Sequence, residues 1–295
     1  MNAIADAISV EFPYVAVHTF AYQYSRPPPK LTKPRPNVVV QLCSIECDFG
    51  VPLSDPNSTL NAAFRHDLIT WSSISQRLYI WDYVTDFANF VMPWPDYYTI
   101  APNIRFYVQN GAKGIFEEGA YTSSGSDVQE LKSYFMSRLL WDPSLDDRTL
   151  IAEFLIGYYG AAAPYVQSYI DLTSESQKAS NSPMTIDIPW TSSFLTPSLM
   201  INLVATFQTA NETRSLTDDQ RTRVRVAAMP TQYVVMLRWV EMQTYASSHS
   251  IPWTLGTLLA CFHDFSDIYQ KSGMEAGALS EGGHGLAWLQ KTLGL

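Results

Sequence analysis

Basic residues are scarce in this sequence. It carries 19 lysine and arginine residues against 28 aspartate and glutamate residues, for a formal net charge of -9 at pH 7. No run of lysine or arginine forms a local positive patch. A protein that binds a nucleic-acid backbone needs such a patch to neutralise the phosphates. The composition therefore argues against nucleic acid as a partner.

Cysteine is also rare, with Cys43, Cys47 and Cys261 the three in 295 residues. Three thiols are too few for a disulfide framework, and we expect Cys43 and Cys47 to be buried thiols. A zinc site would need further cysteine or histidine ligands nearby, but each of the five histidines stands alone. Glycine-rich phosphate loops, dinucleotide fingerprints and serine nucleophile elbows are missing too. We therefore expect neither a metal nor a cofactor.

Long apolar runs are missing as well. No stretch of 18 or more apolar residues occurs, so the sequence predicts no membrane-spanning helix and no membrane partner. The opening residues, MNAIADAISVEF, lack the basic start and continuous apolar core of a signal peptide. Taken literally, this predicts a cytoplasmic protein, whereas a truncated N-terminus would leave a secreted protein open.

Aromatic residues, by contrast, are abundant. The chain has 17 tyrosines, 14 phenylalanines and 8 tryptophans, and hydrophobic residues as a whole make up 46% of it. This composition is sufficient for a sizeable core. Tyrosine and tryptophan also combine an apolar ring face with a polar group, which is how sugar-binding clefts hold carbohydrate.

Four short apolar segments alternate with helical patterns in the first half of the chain. Residues 15–24, 38–45, 78–84 and 114–118 have the β-branched and aromatic character of buried strands. Helical lengths between them indicate parallel strands with right-handed crossovers. The sequence therefore predicts an α/β fold, a partial (β/α) barrel of about four parallel strands.

The strand signal ends near residue 142, and the remainder reads as helices. We therefore divide the chain into residues 1–142, the C-terminal half of a TIM-type barrel, and residues 143–295, an all-helical region. A polar segment near 174–183 is predicted to be a linker within the helical region. The glycine-rich residues 282–285 are predicted to be a flexible turn.

Carboxylates follow the last two predicted strands at their carboxyl ends, where α/β barrels present catalytic groups. These are Asp82, Glu117 and Glu118. Glycoside hydrolysis uses two carboxyl groups, one as acid and one as nucleophile or base. Neighbouring strands lie about 4.8 Å apart, so Asp82 and Glu117 are expected to converge. We predict that Glu117 faces the cleft, because it shares a strand face with Ile115. Alternatively, Glu117 and Glu118 take part in ion pairs at the strand end, and Asp82 caps a helix or lies in a turn.

Seven further residues near strand ends are candidates for substrate binding: Tyr22, Tyr24, Glu46, Trp81, Tyr83, Trp94 and Tyr121. The aromatic members can stack on sugar faces. Alternatively, these aromatic residues pack within the core and the loops. The alternative for Glu46 is that it lies in a loop and has no function in binding.

Several long stretches of the first 175 residues resemble one protein family. They are FAYQYSRPP, LCSIECDFGVPLSD, LYIWDYVTDF, GAKGIFEEGAY, LKSYFMSRLLWDPSLD and EFLIGYYGAAAPYVQSYI, and they resemble domain of unknown function 4838. The resemblance implies a glycoside-hydrolase-type barrel, distantly similar to α-glucuronidases and β-hexosaminidases. It also implies that this chain starts near the fifth strand of such a barrel.

These observations lead to two functional expectations. The first is a carbohydrate-active, glycosidase-like protein that acts on O-glycosidic bonds with strand-end carboxylates as acid and base. The alternative is a truncated, catalytically inactive module that binds sugar or another protein. A half-barrel also leaves two strand edges without partners. We therefore expect either a homodimer or second chain that completes the barrel, or helical segments that cap those edges.

Overall fold

A computed structural model describes residues 1–295 and contains one four-stranded parallel sheet. The strands are β1 (Val17–Ala21), β2 (Val38–Cys43), β3 (Leu78–Tyr83) and β4 (Gly114–Glu118). They lie side by side in chain order, and every neighbouring pair is parallel. The predicted α/β fold with four parallel strands and a helical C-terminal region is confirmed.

Eleven α-helices accompany the sheet. They are α1 (Asn2–Glu11), α2 (Ala62–Ile74), α3 (Ile100–Gln109), α4 (Gln129–Trp141), α5 (Asp147–Tyr159), α6 (Ala163–Ser180), α7 (Pro197–Asn211), α8 (Asp218–Leu237), α9 (Trp239–Ser248), α10 (Leu258–Lys271) and α11 (Leu286–Leu293). None of them is long and apolar enough to cross a membrane.

The two faces of the sheet have different surroundings. The four strands are added side by side in chain order, so right-handed crossovers place all the connecting helices on the same face of the sheet. On that helix-covered face Leu42 and Ile80 are completely buried. We call the other side the open face. Because side chains alternate along a strand, the open face carries His18, Phe20, Val39, Gln41, Cys43, Tyr79, Trp81, Tyr83, Phe116 and Glu118.

The helical region packs on the loops that follow β2 and β3. The Phe49 amide donates to the Met184 carbonyl at 2.8 Å, and the Phe87 amide donates to the Ile186 carbonyl at 2.7 Å. The indole of Trp94 donates to the Thr185 carbonyl at 3.1 Å. One continuous apolar core extends from the sheet into the last helix. The helices therefore hold the loops at the carboxyl ends of the strands in place.

Local capping explains several helix boundaries. The Asp146 carboxylate accepts the Thr149 amide and begins α5, and Thr217 and Gln220 form a reciprocal capping box that begins α8. Asn181 adopts a left-handed conformation and ends α6. Each cap satisfies backbone groups that a helix end leaves without partners.

The linker predicted near residues 174–183 is wrong for most of its length. Helix α6 continues to Ser180, and its Thr173 and Gln177 side chains are buried. Gln177 also donates to the Ser182 carbonyl at 3.1 Å. Glu175 and Lys178 are exposed while Thr173 and Gln177 are buried, which is the pattern of an ordinary amphipathic helix.

Other boundaries differ from the prediction by smaller amounts. The first strand ends at Ala21, so Tyr22 begins the following turn. Helices α8 and α9 meet at Arg238, which ends the first and precedes the second. Helix α11 was not predicted, because the glycine-rich residues before it gave no helical start signal.

Candidate functional site

Aromatic side chains surround a cavity at the carboxyl ends of β1 to β3. We call this group of five residues, Phe20, Tyr22, Cys43, Trp81 and Tyr83, the aromatic mouth; it encloses about 300 Å³. The period-two alternation of three adjacent strands brings these side chains to one face. The predicted residues Tyr22, Trp81 and Tyr83 thus lie together, whereas Phe20 and Cys43 were not predicted.

Trp81 occupies the centre of a row of rings that crosses the sheet. Its ring centroid lies 5.4 Å from that of Phe20 on one side and 4.6 Å from that of Phe116 on the other, both in edge-to-face geometry. This arrangement fixes the indole by contacts from both neighbours. Phe20 and Phe116 remain 50% and 47% exposed, so the row forms an accessible apolar platform.

Glu118 places a carboxylate beside this platform. The Trp81 indole N–H donates to Glu118 Oε2 at 2.7 Å, a contact possible because the two residues share the open face on adjacent strands. Burial raises the pKa of Glu118 above its usual value, and the negative charge of Glu281 raises it further. A carboxyl group with a raised pKa is suited to donate a proton.

Glu281 reaches the same region from the far end of the chain. Its amide donates to the Phe87 carbonyl at 2.9 Å, which anchors the glycine-rich segment to the loop after β3. The Tyr121 hydroxyl donates to Glu281 Oε1 at 3.4 Å, and the Tyr121 ring packs edge-on against Phe90 at 5.7 Å. Tyr121 was predicted; Glu281 was not, since nothing in its sequence neighbourhood marks a site.

Glu46 completes an acidic rim around Tyr22. Arg26 binds Glu46 at 2.5 Å and Asp67 at 2.9 Å, which ties the loops after β1 and β2 to helix α2. Burial, followed by the charges of Cys43, Glu46, Glu118 and Glu281, raises the pKa of the Tyr22 phenol. Tyr22 therefore remains a neutral hydrogen-bonding group.

Asp82 and Glu117 lie side by side in the β3–β4 register, as predicted, but on the helix-facing side of the sheet. Ser44 donates to Asp82, and the Tyr107 phenol lies beside the same carboxyl. Burial raises the pKa of Asp82 to about 6. Burial, together with the charge of Asp82, raises the pKa of Glu117 well above its usual value.

The two carboxyl groups therefore share a buried environment in which both cannot readily ionise. The sheet separates them from the aromatic mouth, which neither residue lines; Glu117 lines a different cleft, beside β4, and its catalytic role stays a prediction. The shared face with Ile115 is the one that packs on helices.

A second cleft runs between the outer edge of β4 and helix α4. This β4 cleft encloses about 520 Å³ and is lined on the strand side by Phe116, Glu117 and Glu118 and on the helix side by Gln129, Lys132, Ser133 and Met136. Neither carboxyl oxygen of Glu117 has a hydrogen-bond partner, and both are buried.

Lys132 is the buried cation behind this cleft. Its Nζ lies 2.6 Å from Asp96 Oδ1 and 3.5 Å from Asp127 Oδ2, and it donates to the Trp94 carbonyl at 3.0 Å. Burial raises the pKa of Asp96 to about 7 despite the neighbouring lysine. This cluster fastens α4 to the loop after β3.

Two of the predicted sugar-contacting residues lie away from the aromatic mouth. Trp94 is completely buried and packs on Phe49 at 5.4 Å, so its ring has no free face. Tyr24 is 97% exposed in the turn after β1 and does not line the aromatic mouth.

No group of three or more histidine, cysteine, aspartate or glutamate side chains is arranged to hold a metal ion. No curated protein and no solved structure matches the chain. The family described as Domain of unknown function (DUF4838) matches residues 1–171, which is more than half of the 295 residues. The chain therefore belongs to the DUF4838 family.

Proposed function

We propose that this protein is carbohydrate-active and glycosidase-like, and that it binds sugar in the aromatic mouth. The observation that supports this most strongly is the contact between Glu118 and the Trp81 indole at 2.7 Å. It joins a carboxyl group to a ring platform at the carboxyl ends of parallel strands, which is where barrel enzymes present their catalytic groups.

The rings supply the binding surface for the sugar. Phe20, Trp81 and Phe116 form a row with exposed edges and faces, which matches the apolar C–H face of a pyranose. Tyr22 and Glu46 at the rim offer a phenol and a carboxylate to sugar hydroxyl groups. Hydrogen bonds to these groups orient the ring without a metal or cofactor.

Glu118 is the proposed general acid. Its pKa is raised by burial and by the charge of Glu281, so the protonated form persists to a higher pH than for an ordinary glutamate. It transfers its proton to the glycosidic oxygen as the bond to the anomeric carbon breaks.

Glu281 is the proposed second carboxylate. It is exposed and accepts a hydrogen bond from the Tyr121 hydroxyl, and its proposed role is that of a nucleophile or of a base for water. A separation of about 5 Å between the two carboxyl groups gives retention, and about 6.5–9.5 Å gives inversion.

A catalytically inactive, sugar-binding module is the second candidate. One observation favours it: Glu118 already accepts a hydrogen bond from Trp81, a contact that stabilises the carboxylate and opposes protonation. In that case Glu118 orients a hydroxyl group of the ligand and no bond is cleaved.

Titration of a panel of neutral, amino and acidic oligosaccharides by calorimetry, with a parallel assay for released reducing ends, tests the proposal. Glu118→Gln should lower affinity by about tenfold, equivalent to about 1.4 kcal/mol, and abolish any hydrolysis. Glu117→Gln is the matched control. It changes the neighbouring carboxyl group on the other face of the sheet, and it should have little effect because a neutral amide replaces a carboxyl group that burial keeps protonated.

The outcomes separate the candidates. Binding and hydrolysis that both depend on Glu118 support the glycosidase, and binding without hydrolysis supports the binding module. If Glu117→Gln lost activity and Glu118→Gln did not, the catalytic carboxyl groups would be those of Asp82 and Glu117. Folded protein that binds no member of the panel would contradict both candidates.

A further inference from the structure

The helical region contains a cavity of its own between α7, α8 and α10. We call it the helical pocket; it encloses about 190 Å³. Its apolar wall includes Val204 and Phe207 from α7, Val224 from α8 and Leu255 from the segment before α10. None of its lining residues lines the aromatic mouth or the β4 cleft, and all of them lie beyond residue 171, where the family match ends.

Three side chains of this pocket each have a buried oxygen without a hydrogen-bond partner. These oxygens are the Asn211 amide oxygen, the Thr231 hydroxyl and the Gln232 amide oxygen. Buried polar groups in folded proteins nearly always have a partner. Three exceptions around one cavity therefore indicate that an occupant of the cavity supplies hydrogen bonds.

Thr231 differs from other threonines of the helical region. Thr206, Thr222 and Thr244 each donate to the carbonyl four residues earlier, at 2.9, 3.0 and 2.7 Å, which is the usual bond of a threonine within a helix. Thr231 is 1% exposed, and its hydroxyl has no such bond. The helix itself therefore makes no use of this hydroxyl.

The free oxygens define which groups the occupant must carry. The Gln232 amide nitrogen donates to Asp264 Oδ2 at 2.9 Å, so the oxygen is the end of this amide that has no partner. Amide oxygens only accept hydrogen bonds, and the Thr231 hydroxyl can accept one as well. The occupant must therefore donate hydrogen bonds from N–H or O–H groups.

The wall of the pocket also limits the charge and the size of the occupant. Arg225 binds Asp264 at 2.6 Å and Asp267 at 3.1 Å, so the charged groups at the wall are already paired and favour a neutral molecule. An apolar cavity of about 150 Å³ holds benzene. The volume of about 190 Å³ thus suits one small ring with a polar substituent.

We propose that the helical pocket binds a small neutral organic molecule that has an apolar body and N–H or O–H donors, such as a primary carboxamide. The donors bond to the free oxygens of Asn211, Thr231 and Gln232, and the body packs against Phe207 and Leu255. This site goes beyond the proposed function and shares no residue with the aromatic mouth, so either can fail without the other.

Titration of the 295-residue chain with benzamide, followed in a nitrogen–proton correlation spectrum, tests the inference. Cyclohexanecarboxamide repeats the titration with a body that is not aromatic. Acetophenone is the matched comparison, because a methyl group replaces the amide nitrogen and no donor remains; benzoate adds a charge that the pocket does not pair. Both carboxamides should bind at least about tenfold more tightly than either comparison compound. They should also shift the side-chain amide signals of Gln232, which Gln232→Met assigns by their loss.

Thr231→Val is the decisive variant. It removes the hydroxyl, keeps the branched shape of the side chain, and should weaken benzamide binding by about fivefold, the effect of one hydrogen bond. The midpoint of thermal unfolding should not fall, because no internal hydrogen bond is lost. Thr244→Val makes the same change at an exposed position on α9 outside the pocket and should leave the affinity unchanged.

Ala228→Leu places extra side-chain volume in the pocket and should abolish binding with an unchanged far-ultraviolet circular dichroism spectrum. A folded wild-type chain that binds neither carboxamide would overturn the inference, and so would equal affinities for benzamide and acetophenone. Wild-type affinity in Thr231→Val or in Ala228→Leu would also overturn it. A lowered unfolding midpoint in Thr231→Val would assign the hydroxyl to the fold instead of to a ligand.

Discussion

Replacement of Lys132 by methionine is expected to destabilise the fold strongly. The Lys132 side chain is buried in helix α4, and its ammonium group lies 2.6 Å from Asp96 and 3.5 Å from Asp127. Methionine keeps the length and apolar character of the stem but removes the charge. Two buried carboxyl groups then lose their common partner.

The magnitude follows from that burial. Breaking a buried ion pair by removing one member costs about 3–5 kcal/mol, because the remaining charge has no compensation. An exposed pair would contribute about 0–1 kcal/mol. With a side chain that is only 4% exposed, Lys132 belongs to the first class.

The loss should depend on pH in a defined direction. The pKa of Asp96 is already raised to about 7 in the folded state, so folding favours its protonated form and the stability from this group falls as pH rises from 4 to 7. Loss of the lysine raises the pKa further, and the fall then extends above pH 7. The difference between variant and wild type therefore widens with increasing pH.

Urea unfolding followed by circular dichroism at pH 5 and pH 8 measures both effects. Lys178→Met, at an exposed position on α6, is the control and should change the free energy of unfolding by less than about 0.5 kcal/mol. The double variant Lys132→Met, Asp96→Asn should regain part of the loss. A loss below about 1 kcal/mol at both pH values would refute the ion-pair reasoning.

Two further predictions concern stability. Asp86 has one oxygen bonded to the Ala88 amide at 3.0 Å and another buried without a partner, and burial raises its pKa to about 8. The free energy of unfolding of the wild type should thus fall between pH 5 and pH 8. Asp86→Asn should remove up to about 4 kcal/mol of that fall, since a pKa difference of one unit corresponds to about 1.36 kcal/mol. If the unfolding free energies of wild type and variant, measured in urea, changed in parallel with pH, the prediction would be wrong. Asp146→Ala should cost about 1 kcal/mol by removing the cap of α5, which thermal unfolding measures; an unchanged midpoint would show that the cap contributes nothing.

The sheet was predictable because its strands carry strong local signals. Residues 78–83 read as a short apolar segment rich in aromatic and branched residues, and the structure places β3 at Leu78–Tyr83. The neighbouring segments gave the same signal with helical spacing between them. Parallel order and a helix-covered face then follow from the handedness of crossovers.

The facing of Glu117 and Glu118 was not predictable from local pattern. Alternation requires that they point in opposite directions, but Ile115 and Phe116 are both apolar, so the strand gives no sign of which side receives the helices. Only the neighbouring strands determine it, through the Asp82–Glu117 and Trp81–Phe116 registers.

Glu281 lay beyond sequence reasoning for a different reason. Its contact with Tyr121 joins residues 160 positions apart, and the glycine-rich segment around it has no periodicity. The same long-range packing buries Trp94 under residues from the helical region. Such contacts depend on how the two parts of the chain dock, which no local spacing encodes.

The most direct test of the carbohydrate proposal is the indole N–H signal of Trp81 in a nitrogen–proton correlation spectrum. The chain has 8 tryptophans, and Trp81→Phe assigns the one signal that disappears. Because this N–H donates to Glu118 in the aromatic mouth, titration with a bound oligosaccharide should shift it while the buried Trp94 signal stays in place. A sugar that binds without moving the Trp81 signal, or a folded chain that binds no sugar, would contradict the proposal.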